Sequence, residues 1–137
     1  MRIFISNLLI VLGIFTFSAC GHTDTVDEKP AFEMTSDEIV NEYLDDEVAS
    51  NQKFNDQVIA ITGPVFELNK ENGKVIGVKL SSDEFSIVSC TFQDPLEPDA
   101  IGEGRIIVKG VCSGFQGDKD SMLPGGVVEL KRAALVK

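Results

Sequence analysis

The 137-residue chain has no tryptophan, one histidine (His22), one tyrosine and three cysteines. A single histidine excludes His-rich metal sites and a histidine-based catalytic triad. No Walker-type glycine loop, GxSxG elbow or HExxH helix occurs, so the commonest phosphate, acyl-transfer and zinc-hydrolase signatures are missing. Positive charge is scarce. Against 22 Asp+Glu stand 12 Lys+Arg, a net charge of −10, which argues against a surface built to neutralise phosphate. Long hydrophobic runs are also lacking: Leu8–Phe17 falls well short of the ~20 apolar residues that a bilayer-spanning helix needs.

What is present begins with an export signal. Arg2 precedes that apolar run, and the small residues Ser18 and Ala19 precede Cys20. The ending Phe17-Ser18-Ala19-Cys20 resembles the lipobox of bacterial lipoproteins, in which the cysteine is acylated and becomes the first mature residue. Residues 1–19 are thus expected to be a lipoprotein signal peptide, with a membrane anchor on Cys20 and a location in the bacterial cell envelope, periplasmic or surface-exposed. A plain secreted protein or an uncleaved anchor are the alternatives. Lipidation at Cys20 would leave two cysteines, Cys90 and Cys112, in an exported and oxidising compartment. A bridge between them would close a loop of about 22 residues and contribute about 3 kcal/mol. The alternative is a pair of small buried thiols on apolar strands.

Residues 20–34 read as an acidic flexible tether, polar and interrupted by Pro30. His22 lies in it. A single domain of a helix plus a barrel is expected over 35–137. Thr35–Lys53 reads as one amphipathic helix, with Thr35 and Glu38 spaced as a capping box. Ile39, Val40, Tyr43, Leu44 and Val48 form its apolar stripe. From Gln57 the period becomes strand-like. Strands are expected at Gln57–Leu68 (bent at Gly63-Pro64), Lys74–Leu80, Phe85–Phe92, Arg105–Cys112 and Val127–Val136, with Asn72-Gly73 as a hairpin turn. The connections are Gln93–Gly104, rich in Pro and acids, and the Gly-rich Ser113–Gly125.

These residues carry a family resemblance. The stretches Lys53–Val65 (KFNDQVIAITGPV), Val88–Phe92 (VSCTF), Gly104–Gly114 (GRIIVKGVCSG) and Val127–Leu130 (VVEL) resemble the tRNA-anti-like OB-fold family, whose members are often exported bacterial proteins or lipoproteins. The resemblance implies a mainly β chain: a small five-stranded Greek-key barrel preceded by one amphipathic N-terminal α-helix. It does not imply tRNA binding, since the family name records similarity to anticodon-binding OB domains. The usual OB helix lies between strands three and four. Here Gln93–Gly104 has no helical period, so Thr35–Lys53 is expected to cover one barrel end.

An OB barrel binds through the outer face of its second and third strands and the adjoining loops. On this chain that surface comprises Lys79, Phe85, Ile87, Ser89 and Thr91, with Phe115, Met122 and Leu123 in the last loop. Phe115 is either a contact or an aromatic folded back as core. Asp118 and Asp120 form a DxD pair, but no further ligand follows at calcium-loop spacing, so no metal or cofactor is expected. Nor is enzymatic activity expected. Single-stranded nucleic acid needs a basic groove with stacking aromatics, and Phe54–Lys137 carries 12 acids and nine bases. The reading is a membrane-anchored OB binding module for a protein or envelope component. A nucleic-acid or oligosaccharide binder, and a structural envelope protein without a small ligand, are the alternatives.

Overall fold

The computed structural model describes residues 24–83, 85–117, 122 and 125–137. The expected signal peptide 1–19, Cys20, His22, Asp118, Asp120 and Leu123 lie outside the described residues. In chain order the elements are β1 (Phe32–Thr35), α1 (Ser36–Asp45), α2 (Glu47–Phe54), β2 (Val58–Glu71), β3 (Lys74–Ser81), β4 (Ile87–Leu96), a 3-10 turn (Pro98–Ala100), β5 (Arg105–Gly117) and β6 (Gly126–Val136).

Five of these strands close into a barrel in the order β2-β3-β4-β6-β5, with β5 returning to β2. Closure depends on the length of β2. Its first half, Val58–Pro64, pairs with β5, and from Val65 onward it pairs with β3. Gly63-Pro64 marks the change of partner, as expected where a bend is needed and a ladder donor is missing. Asn72 and Gly73 both adopt positive φ, the geometry of a two-residue hairpin turn that matches strand twist. β4 and β6 run parallel, and β5 and β6 antiparallel, which gives the Greek-key connection of an OB barrel. Inward-facing residues alternate along each strand. Ile59 and Ile61, Val78 and Leu80, Val88 and Cys90, Val108 and Cys112, and Val128 and Leu130 fill the interior.

The helical region differs from the expected single helix. Its N-terminus holds: the Thr35 hydroxyl accepts from the Glu38 amide at 3.2 Å, and the Glu38 carboxylate accepts from the Thr35 amide at 2.8 Å. The helix nevertheless breaks at Asp46. The backbone of Asp46 is extended there. Its N–H donates to the Glu42 carbonyl, ending α1, and its carboxylate accepts from the Ala49 amide at 3.0 Å, starting α2. Val48 therefore leaves the apolar stripe and is 69% exposed, while Ile39, Val40 and Tyr43 are buried. α1 packs against β2, β3, β4 and β6, covering the end of the barrel where β3 finishes and β4 and β6 begin.

The expected tether is also shorter. Phe32–Thr35 is a strand, β1, that runs parallel to β2 from Phe32 beside Ile59 to Thr35 beside Thr62. It occupies the part of the β2 edge that β3 does not reach. The third barrel strand begins at Ile87 rather than Phe85 and continues through Pro95 to Leu96, and the fourth continues to Gly117. Both connections are correspondingly shorter than the sequence suggests.

Candidate functional site

One row of residues crosses four strands on the outside of the barrel. Ser81 pairs with Ile87, Ile87 with Val127, and Val127 with Gln116. Above this row lies a groove of about 840 Å³, bordered by Phe66, by Ser82, Asp83, Phe85 and Ser86 of the β3–β4 loop, and by the start of the β5–β6 hairpin at Gly117, Gly125 and Gly126. The loop is pinned in place. The Ser82 amide donates to the Ser86 carbonyl at 3.1 Å, the Asp83 carboxylate accepts from the Phe85 amide at 3.0 Å, and the Ser86 hydroxyl accepts from the Gly126 amide at 3.1 Å. Gly125 lies so close beneath Phe85 that a Cβ there would come within 2.4 Å of the Phe85 carbonyl oxygen. Only glycine permits that approach.

This scaffold leaves two aromatic rings in water: Phe66 is 64% and Phe85 50% exposed. Exposing two such rings together on one groove is costly for a surface without a partner. The remaining lining is mostly uncharged. Among the described residues it carries one carboxylate, Asp83, and no lysine or arginine. Lys79 lies outside the groove on the same sheet face, with its ammonium 3.2 Å from Glu67.

Of the candidate contacts, Phe85 and Ile87 line the groove. Ser89 lies farther along the outer face beside Lys79, and Thr91 beside Gly77. Met122 is fully exposed but does not border the groove. Phe115 turns the other way. Its ring stacks on Tyr43 with centroids 5.2 Å apart, and it packs against the core under α1. Phe66, Gln116 and Val127 are groove residues that the sequence pattern does not single out. A signal for Phe66 exists in the spacing of Val65 and Leu68. Both pack toward the core although three positions apart, which requires an irregular register, and β2 shifts register between Val65 and Glu67.

Cys90 and Cys112 are both buried, free thiols. Each pairs in register with Leu130, so β6 stands between the strands that carry them. The two cysteines therefore do not sit on neighbouring strands, and each remains a free thiol. The bridge open to the sequence is thereby replaced by the pair of core thiols. Cys112 Sγ instead meets the Tyr43 hydroxyl at 3.3 Å. Burial, followed by this hydrogen bond, holds the Tyr43 hydroxyl far above the ordinary phenol range. Burial alone pushes the Cys90 thiol up to about 12. Because both thiols are buried, alkylation should leave them unmodified in the folded protein. The unfolded, unreduced chain should take up two labels, at Cys90 and Cys112; none there would mean a bridge.

A family model described as tRNA_anti-like matches residues 1–123. No curated protein matches the chain. Among solved structures, one described as an aspartyl-tRNA synthetase from Leishmania major Friedlin is similar at 12% identity with a TM-score of 0.36, over 85% of this chain. The chain spans 22% of that protein's length.

Proposed function

The chain belongs to the tRNA_anti-like family, and on that premise we propose that it is a lipid-anchored module of the bacterial cell envelope that binds a protein partner in the groove beside β3 and β4. The observation that carries this reading is the exposure of Phe66 and Phe85 on one groove. Aromatic anchors set in a mostly uncharged surface are the usual centre of a protein interface. The groove adjoins the faces and loops through which OB barrels recognise ligands. A single strand of nucleic acid would want cations along its backbone path, and the described lining supplies none. The anchor is supported by the sequence Ser18-Ala19-Cys20 after the apolar run.

Crosslinking in intact membranes followed by mass spectrometry tests the reading. A dominant stoichiometric partner is expected, and the double variant Phe66→Ser/Phe85→Ser should reduce its recovery by about tenfold or more. Truncating both rings removes anchors typically worth 2 kcal/mol or more, while these exposed positions should leave Tm nearly unchanged. Full recovery of the partner from that variant would overturn the groove. Micromolar, salt-sensitive binding of single-stranded DNA would replace protein by nucleic acid. Cys20→Ser should move the chain to the soluble fraction or leave it unprocessed; normal processing and membrane retention would sink the anchor.

A further inference from the structure

The first described residues are fastened to the barrel. Lys109 on β5 donates from Nζ to the carbonyls of Val26, at 2.5 Å, and Glu28, at 2.8 Å. Gln93 on β4 donates from Nε2 to the Asp24 carboxylate at 2.7 Å. The Asp27 amide donates to the Asp24 carbonyl, closing a turn around the fully buried Thr25. The Ala31 amide donates to the Val58 carbonyl and leads the chain into β1. This clamp occupies the barrel end remote from the groove. On β6 the groove touches Gly126 and Val127, whereas the cleft beside Val26 touches Ala134–Lys137. The eight residue steps from Val127 to Leu135 span roughly 25 Å of strand. β4 and β5 agree: Ile87 and Gln116 lie at the groove, Gln93 and Lys109 at the clamp.

At the clamped end three aliphatic side chains meet solvent. Val26, Ile107 and Val136 are 60%, 40% and 39% exposed. Ile107 and Val136 are register partners, and Val136 shares a cleft of about 370 Å³ with Val26. Cys20 precedes Asp24 by four residues, which reach at most about 14 Å even fully extended.

We propose that the barrel end bearing Val26, Ile107 and Val136 rests on the lipid bilayer, so that the groove faces away from the membrane. This orientation depends on the acyl anchor at Cys20 proposed above. A leash of four residues ending in a clamp holds that end against the surface, where the aliphatic patch finds apolar cover. The clefts at this end are lined by as many carboxylates, Asp24 and Asp94, as ammonium groups, Lys109 and Lys137, so the surface it suits is zwitterionic rather than anionic.

Processed, acylated full-length protein in phosphatidylcholine vesicles provides the test. An environment-sensitive fluorophore is placed on Lys137→Cys, beside the patch, or on Gln116→Cys, in the groove; the buried Cys90 and Cys112 do not compete for label. Doxyl lipids should quench the probe at 137 at least threefold more than the probe at 116. Lys109→Met, which removes both clamp hydrogen bonds from the ammonium, should bring that ratio towards one while the protein still floats with the vesicles. Equal quenching at the two positions, or stronger quenching at 116, in floating protein with Lys109 intact would overturn the orientation and leave the anchor standing. Exported protein that carries no acyl group on Cys20, or does not float, would overturn the anchor itself.

Discussion

Phe54→Ala will destabilise the domain by about 3–5 kcal/mol, the range for emptying a buried aromatic site. Phe54 ends α2 and is completely buried. Its ring lies edge-on to Phe32 of β1, with centroids 5.1 Å apart, and tilted against Tyr43 of α1 at 5.8 Å. The Lys53 ammonium, 2.9 Å from the Glu42 carboxylate, sits 4.9 Å above the same ring. One side chain thus joins the added strand and both helices, and its loss leaves a void that three elements must fill together. A small domain loses roughly 4–8 °C per kcal/mol, so Tm should fall by more than about 12 °C in a thermal melt. Val48→Ala, at an exposed position of the same helix, should shift stability by no more than about 0.5 kcal/mol. A Tm loss below about 5 °C for Phe54→Ala would mean that α2 is peripheral to the fold.

Alkali will unfold the protein by way of a core thiol. The Cys90 thiol is held neutral by burial, up to about 12 in the folded state against an ordinary value of 9.0. A group whose folded value is raised contributes its full stability below the unfolded value and loses it as pH climbs towards the folded one. The window therefore runs from about pH 9 to pH 12, with a loss on the order of 4 kcal/mol across it from Cys90 alone. Tyr43, raised in the same direction by burial and its bond with Cys112, steepens the decline above pH 10. Denaturant midpoints between pH 7 and pH 11.5 measure this directly. Cys90→Ala, although less stable at pH 7, should flatten the lower part of the profile. An unchanged slope would exclude Cys90 as the titrating group.

The barrel is legible in the sequence because its signals are local. Alternating β-branched residues, the Gly63-Pro64 interruption and Asn72-Gly73 each specify backbone geometry within a few positions. The features that escape depend on distant partners. β1 spans four residues without a period of its own, and it is a strand only because β2 offers an unpaired edge from Ile59 to Thr62. Asp46 stands between Asp45 and Glu47 inside what reads as one continuous helix, yet its carboxylate is a cap. In the groove, Phe85 and Ile87 follow from the expected strand-two and strand-three face. Gln116 and Val127 join it only because β6 lies between β4 and β5, a pairing that no local pattern declares.

That placement of β6 also governs how the molecule can assemble. Residues 126–136 form both seams that complete the cylinder, so β4 and β5 each present an open edge until that last strand arrives. The β2–β5 and β4–β6 pairings that close the barrel join residues 40 or more apart in the chain, and loop closure must precede the gain from pairing. A chain whose last eleven residues have yet to pair is thus a curled, two-edged sheet. It stays receptive to strands of other molecules until the final hairpin zips shut.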